Sequence, residues 1–278
     1  MSSGTTTVAD SLCRAKAMRV DRLDALLLLA HVLARPRSWL LAHDDATLDD
    51  AQVAAMHAAL VRRAAGEPLA YLLGEKEFHG LMLRVNASVL VPRPDTEVLV
   101  DWALELLAGE LAHIGNPGVV DLGTGSGAIA LAVKQSHPDA AVLATDLSAA
   151  ALEVARANAA HLGLSLTLRI SSWWAALAGL RFHLVLGNPP YIAAGDRHLD
   201  ALRHEPRLAL TPGGDGLGAL RQIIGGARDH LEPGGWLLLE HGYDQAEAVH
   251  ILLHGHGFAS IQTRRDLGGQ PRCTGAHR

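Results

Sequence analysis

"DLGTGSGAIA", residues 121–130, is the stretch that decides the fold. It follows the apolar "PGVV", so a strand runs straight into a glycine-rich turn, and "GAIALAVKQSHP" then continues with helical spacing. Gly123, Gly125 and Gly127 let the main chain pass close to a ligand, and the free amides at a helix start favour a negatively charged group. The next strand, "AAVLATDLS", ends near Asp146, ~20 residues beyond the loop, where an acid can bind ribose hydroxyls. The spacing is Gly-x-Gly-x-Gly, with Thr124 and Ser126 between the glycines, and Asp121 precedes it. That pattern suits S-adenosylmethionine better than a dinucleotide: there is no pyrophosphate to seat, and a cationic amino-acid tail gains from a nearby carboxylate.

Outward from this loop, helices and short apolar strands alternate from residue 95 onward. "TEVLVDWALELLAGEL", "AAALEVARANAAHLG" and "GALRQIIGGARDHLEPGG" read as helices; "LTLRIS", "FHLVLGNPP" and "WLLLEHG" read as strands. Such alternation predicts a mostly parallel sheet covered on both faces. The expected fold over 95–278 is therefore α/β and Rossmann-like, and the loop suited to S-adenosylmethionine makes a class I methyltransferase domain the expectation. The final "GFASIQTRRDLGGQPRCTGAHR" reads as a weak last strand and a polar tail.

Upstream, residues 8–64 are rich in Ala and Leu at helical spacing, broken at "ARPRSW" and restarted after Thr47, Asp49 and Asp50, which read as caps. These features predict a small all-helical domain over 1–72. Between the two, 73–94 reads as a β-hairpin linker in which "EFHGLMLRV" pairs with "SVLVP" and Asn86 lies near the turn.

"VLGNPPYIAAG", residues 185–195, ends a core strand on Asn188, Pro189, Pro190 and Tyr191. Proline cannot donate to a strand ladder and fixes the backbone beside it. At the carboxyl end of the fourth strand this segment faces the same crevice as the glycine loop. The Asn188 side-chain carbonyl and the Pro189 main-chain carbonyl supply two acceptors able to grip both hydrogens of a planar NH2 group and aim its nitrogen at an electrophilic methyl. Tyr191 is placed to stack on that group. Catalysis would then rest on orientation and electrostatics, with no metal needed. "SSWWAAL" follows the third strand, where an adenine ring should lie, and either Trp173 or Trp174 can cover it.

These segments together resemble a known family. "EFHGLMLRV", "VLVPRPDTE", "DLGTGSGAIALA", "GNPPYIAAG", "HEPRLAL" and "LLLEHG", in this order behind a helical region, resemble the HemK/PrmC glutamine methyltransferases that modify peptide chain release factors. The similarity runs from the helical domain to about Arg272. It implies methyl transfer from S-adenosylmethionine to the side-chain amide nitrogen of the glutamine in a release factor's Gly-Gly-Gln loop. It also implies that residues 123–127, Asp146, Trp173 and Asn188 contact the cofactor, while Asn188, Pro189, Pro190 and Tyr191 hold the substrate glutamine. Arg93, Thr96 and Glu97 match a segment bordering the methionine end of the cofactor, and Glu205 matches one near the substrate. The chain departs from the pattern at Ser172, where an Asp usually precedes the Trp. It also departs in a tail without the usual apolar strand, so a shortened last strand is expected. Gly268–Gln270 spells the Gly-Gly-Gln tripeptide itself; we read it as coincidence, so intact mass should not change on incubation with cofactor.

Composition narrows the alternatives. Of 278 residues 49% are hydrophobic, yet the best apolar run, "ALLLLAHVLA" at 25–34, is too short to span a bilayer and holds His31. No basic start followed by an apolar stretch marks a secretory signal. Two cysteines, Cys13 and Cys273, form neither a disulfide framework nor a metal motif, so a cytoplasmic protein without membrane contact is expected. A net charge of −5 argues against direct nucleic-acid binding. Other readings stay open: a glutamine methyltransferase of a large-subunit ribosomal protein, an exocyclic-amino methyltransferase of nucleic acid, which uses a similar Asn-Pro-Pro-aromatic loop, and a binding module without activity. Sixteen histidines show no ligand spacing; His241, after Glu240 at a strand end, is one that could border the pocket.

Overall fold

The structure, a computed structural model, describes residues 5–278. The chain forms two compact units, Met1–Glu75 and Lys76–Arg278. In the first lie α1 (Val8–Ala17), α2 (Arg22–Leu33), α3 (Arg37–Ala42), α4 (Asp50–Ala64) and α5 (Leu69–Leu73). Thr7 with Asp10, and Asp49 with Gln52, make reciprocal capping boxes that satisfy the first amides of α1 and α4. Val8, Leu28, Leu29, Leu40, Met56 and Leu60 form the core of this unit, and Arg63 of α4 pairs with Asp24 of α2 at 2.7 Å.

The chain then enters a two-stranded ribbon, β1 (Glu75–Phe78) and β2 (Leu81–Arg84). Its turn lies at His79 and Gly80, both at positive φ, 48° and 78°. That geometry fits the right-handed twist of the strands it joins. The hairpin is therefore shorter than the sequence reading, which paired residues 77–85 with "SVLVP". Asn86 lies beyond it, accepting from the Ser88 amide at 2.8 Å, and 85–92 form no strand.

The main body contains α6 (Glu97–Ala108), β3 (Gly118–Leu122), α7 (Ala128–Ser136), β4 (Ala141–Asp146), α8 (Ala149–Leu162), β5 (Thr167–Ile170) and β6 (Phe182–Gly187). There follow α9 (His198–Ala201), α10 (Arg207–Leu210), α11 (Gly218–His230), β7 (Leu231–Glu240), α12 (Ala246–Gly255), β8 (Ala259–Arg265) and β9 (Pro271–His277). The sheet has seven strands in the order β5-β4-β3-β6-β7-β9-β8. All pairs from β5 to β7 are parallel, and β9 runs antiparallel between β7 and β8. Strand order reverses beside β3, opening a crevice at the carboxyl ends of β3 and β6.

Alternate residues of the central strands feed two cores. Val119, Leu184, Leu186 and Leu238 face one layer with α6 and α7; Val120, Val185, Leu237 and Leu239 face the other with α11 and α12. Among the described residues no helix is long and apolar enough to cross a membrane.

Two departures concern the end of the chain. β7 starts at Leu231, earlier than the sequence reading, because Leu231 pairs with Phe182 before 232–235 loop out and Trp236 rejoins the ladder at Leu184. The expected shortened last strand is instead a full pair of strands, β8 and β9, joined by a turn at Asp266–Gln270. β9 looked polar because Cys273, Thr274 and Gly275 are small; all three positions lie inside the sheet's core, and at Gly275 packing requires a small residue. A Cβ on Gly275 would fall 2.6 Å from the Trp102 ring. The same Cβ would fall 2.4 Å from Leu238 Cδ2, and Trp102 is buried with the Arg264 guanidinium 4.5 Å from its ring centre, so two packed side chains would have to shift. Gly275→Ala should cost about 2 kcal/mol by overpacking and lower the melting temperature by roughly 4–8 °C, read by calorimetry. An unchanged midpoint would refute this account of β9.

Candidate active site

The glycine loop is fixed from below before any ligand arrives. Gly123, Gly125 and Gly127 all adopt left-handed φ, at 76°, 55° and 85°. The amides of Gly123 and Thr124 donate to the Thr145 carbonyl at 2.9 and 2.8 Å, tying the turn to the end of β4. A Cβ on Gly125 would meet no protein atom within 4 Å, so this residue opens onto free space. Asp146 then grips the loop: its Oδ2 accepts from the Gly125 amide at 2.9 Å and its Oδ1 from the Ser148 amide at 2.8 Å. Burial pushes its carboxyl upward, partly offset by these donors.

Asn158, which the sequence reading missed, completes the cradle from α8. Fully buried, it donates to the carbonyls of Ser126 and Arg84 at 2.9 and 3.0 Å and accepts from the Arg84 amide at 2.7 Å. The signal was present: an amide on the apolar stripe of a helix must have buried partners. Beneath the loop, Asp121 accepts from the Thr124 hydroxyl at 2.6 Å, its Oδ1 has no partner, and burial pushes the carboxyl up to about 7.

The two tryptophans separate. The Ser171 hydroxyl donates to the Trp173 carbonyl at 2.7 Å and accepts from the Ala176 amide, holding Trp173 at φ 47° with its ring over Gly123. Trp173 borders the cavity beside Ser172. Trp174 turns into the core, donating to the Ile223 carbonyl at 3.0 Å and stacking on His230 at 4.6 Å.

Asn188 leaves β6 into the same cavity, of about 680 Å³, which the glycine loop, Asp146 and Trp173 also line. Its Nδ2 donates to the Thr96 hydroxyl at 3.1 Å, which frees Oδ1 as an acceptor. Pro190 lines the cavity, whereas Pro189 is buried. The Tyr191 hydroxyl donates to Glu240 at 3.2 Å, and its carbonyl accepts from the Gln245 side chain at 2.9 Å. The segment is thus anchored at both ends of Tyr191.

Arg93 and Thr96 line the cavity as well. Glu97 instead accepts from the His79 amide at 3.1 Å, and buried Glu205 spends its oxygens on the Val91 amide, at 3.0 Å, and the Arg93 guanidinium. Glu205 thus holds Arg93 in place from behind. His241 is a packing residue, fully buried between Thr274, at 2.7 Å, and the Gly242 carbonyl. Among the described residues no cluster of His, Cys, Asp or Glu could hold a metal ion.

The donor set fits S-adenosylmethionine. Gly125 faces open space where a side chain would intrude, Trp173 offers a flat ring, and Asp146 places a carboxylate at the strand end where hydroxyls can be bound. Asp146→Ala removes that acceptor and loosens Gly125, and should weaken cofactor affinity about 10- to 100-fold by titration calorimetry. Unchanged affinity would place the cofactor elsewhere.

A doubly covered, mostly parallel sheet with this loop at its switch point is that of a class I methyltransferase that uses S-adenosylmethionine. The chain matches the PrmC N-terminal domain over residues 8–74 and the methyltransferase small domain over 96–217. It is 51% identical over 93% of its length to the release factor glutamine methyltransferase of Bordetella pertussis, covering 95% of that protein. The enzyme of that name in Burkholderia pseudomallei is 50% identical over 94% of this chain and 93% of its own. The chain belongs to the release factor glutamine methyltransferase family. Among solved structures, the T. thermophilus 16S rRNA N2 G1207 methyltransferase, in complex with AdoMet and guanosine, superposes with a TM-score of 0.55 at 20% identity, over 73% of this chain and 49% of that one. That likeness shows the fold alone.

Proposed function

We propose that this enzyme methylates the side-chain amide nitrogen of the glutamine in the Gly-Gly-Gln loop of peptide chain release factors. The observation that carries the reading is Asn188, whose amide is turned by Thr96 so that its oxygen is free in the cavity that the glycine loop lines. When bound, S-adenosylmethionine supplies a methyl group activated by its sulfonium. Asn188 Oδ1 and the Pro189 carbonyl accept the two hydrogens of the acceptor NH2 and aim its nitrogen at the methyl carbon. The nitrogen–carbon bond forms as the sulfur–carbon bond breaks, and one amide proton leaves to water. An amide nitrogen is a poor nucleophile because its lone pair is delocalised; acceptors set for the tetrahedral arrangement favour the reacting geometry over the resting one. Tyr191 packs against the acceptor group, and Glu205 serves the site through Arg93.

In this reading residues 1–72 recognise the release factor away from the reacting loop, 73–94 link them to the catalytic domain at 95–278, and the enzyme works in the cytoplasm without binding nucleic acid directly. The test offers labelled S-adenosylmethionine to a purified release factor, a ribosomal-protein fraction and nucleic acid side by side. Label should enter the release factor and vanish when its loop glutamine is replaced. Label in either other acceptor would overturn the choice of substrate.

A further inference from the structure

Asn188 and the Pro189 carbonyl can aim an acceptor only if the segment that carries them keeps one shape. Upstream it is fixed at the end of β6, where Gly187 pairs with Leu122 and Leu239. Downstream, Pro189 and Pro190 have no N–H to give. The next main-chain hydrogen bonds among the described residues lie at the peptide joining Tyr191 to Ile192, which is held on both edges. Its N–H donates to the Leu210 carbonyl at 3.0 Å, and its oxygen accepts from Gln245 Nε2 at 2.9 Å. Gly216, at φ 83°, lets the loop after α10 lie against the same oxygen, for a Cβ there would fall 2.3 Å from it.

Gln245 stands at the start of α12, half-buried, and does not line the cavity. Its side-chain amide has a single satisfied orientation. Oε1 meets the Gly242 amide at 2.9 Å, which can only donate, and Nε2 meets the Tyr191 carbonyl, which can only accept. Gly242 is itself fixed, because its carbonyl accepts from the Gln245 main-chain amide at 2.9 Å and from His241 Nδ1 at 2.8 Å. Gln245 thus ties the turn after β7 to the segment after β6, with both ends of its side-chain amide on backbone. Two prolines of fixed φ stand between that tie and Asn188, so a shift at one end is passed to the other.

We propose that Gln245 is a positioning residue for methyl transfer: by holding the Tyr191 carbonyl it sets where Asn188 Oδ1 and the Pro189 carbonyl meet the acceptor nitrogen. This rests on the function proposed above for Asn188. Gln245 lies outside the cavity, and the glycine loop is held independently by Thr145, Asp146 and Asn158. Its loss should therefore appear in the rate of transfer and not in the binding of S-adenosylmethionine.

The test compares wild type, Gln245→Glu and Gln245→Met. In Gln245→Glu the ionised side chain still accepts from Gly242 but sets a negative oxygen against the Tyr191 carbonyl. At pH 8 this should lower kcat about 10- to 100-fold, with KM for S-adenosylmethionine within about threefold. Lower pH should restore the rate. The opposed carbonyl and partial burial raise the introduced carboxyl above its usual ~4.3, and once protonated it donates to Tyr191 as the amide does. The rate relative to wild type at the same pH should thus rise as pH falls from about 8 to about 5. Gln245→Met has similar length and neither group, so its kcat should be about 10-fold down at every pH. A loss of stability alone would lower both variants without that contrast.

Carbonyl-13C tyrosine, three residues in this chain, gives a readout that needs no acceptor. The Tyr191 signal in the free enzyme should move upfield in both variants and return toward its wild-type place only in Gln245→Glu at low pH. Should Gln245→Glu not fold at pH 8, the rate and the Tyr191 signal of Gln245→Met decide. Near wild-type kcat in either variant, a Gln245→Glu deficit that does not change with pH, or an unmoved Tyr191 signal would overturn the inference. A wild type that labels no release factor would instead overturn the substrate reading, while rates on the acceptor it does label, and the Tyr191 signal, still judge Gln245.

Discussion

Asn188→Ala should lower kcat by about 10²–10³-fold while S-adenosylmethionine affinity should stay within about threefold. The size follows from what the side chain does. It neither attacks nor carries a proton; it accepts one hydrogen of a weak nucleophile at a fixed place. Removing one preorganised hydrogen-bonding partner of a reacting group costs about 3–4 kcal/mol in comparable sites. The split between the two constants follows from position. The glycine loop is held by Thr145, Asp146 and Asn158, none of which depends on Asn188, so the cofactor side of the cavity should survive the substitution. Single-turnover transfer of labelled methyl, with calorimetry of cofactor binding on the same preparation, measures both. Near-normal turnover would refute orientation as the source of catalysis, and a parallel collapse of cofactor binding would make Asn188 mainly a cofactor ligand.

What was legible in the sequence was local. A strand, a glycine turn and a helix lie within 118–136, and Asp146 follows a single helix later, so backbone rules suffice for both. Asn188 was legible only together with the glycine loop, because two prolines after a strand are by themselves an ordinary loop start. The illegible parts depend on partners far along the chain. β9 hides because its small residues answer to Trp102, about 170 positions away, and not to a propensity of their own. The hairpin turn at His79–Gly80 was overlooked because one of its two positive φ angles belongs to a histidine. Glu240 was named only as the neighbour of His241; its bond to the Tyr191 hydroxyl, at 3.2 Å, is brought about by the fold alone. The same holds for Trp173 and Trp174, adjacent in sequence and opposite in role because Ser171 forces the chain to turn between them.

Asp121→Asn should raise the thermal stability of the free enzyme at pH 8 and leave it nearly unchanged at pH 5. Asp121 is fully buried, its Oδ1 has no partner, and its carboxyl is lifted from 3.8 to about 7, by burial first and by the nearby Asp146 charge, against the Thr124 hydroxyl. Between these values the folded state holds a proton that the unfolded chain has released. Stability therefore falls as pH rises from about 4 to about 7 and levels off above, and a lift of about three pH units amounts to ~4 kcal/mol. Asparagine carries no charge to bury but leaves an amide edge unsatisfied, at a cost of about 1–3 kcal/mol. The net gain at pH 8 should be about 2 kcal/mol, or roughly 4–8 °C in the melting temperature. Glu240 is lifted in the same direction, so the substitution reduces the slope of stability against pH without abolishing it. A carboxylate so costly beneath the glycine loop is expected to be offset by the cationic tail of bound S-adenosylmethionine. Saturating cofactor should accordingly raise the melting temperature of wild type more than that of Asp121→Asn, with scanning calorimetry from pH 5 to 8 giving both comparisons. Equal slopes with pH in the two proteins would mean that the Asp121 carboxyl is not lifted on folding, and equal cofactor shifts would mean that its charge does not serve the ligand.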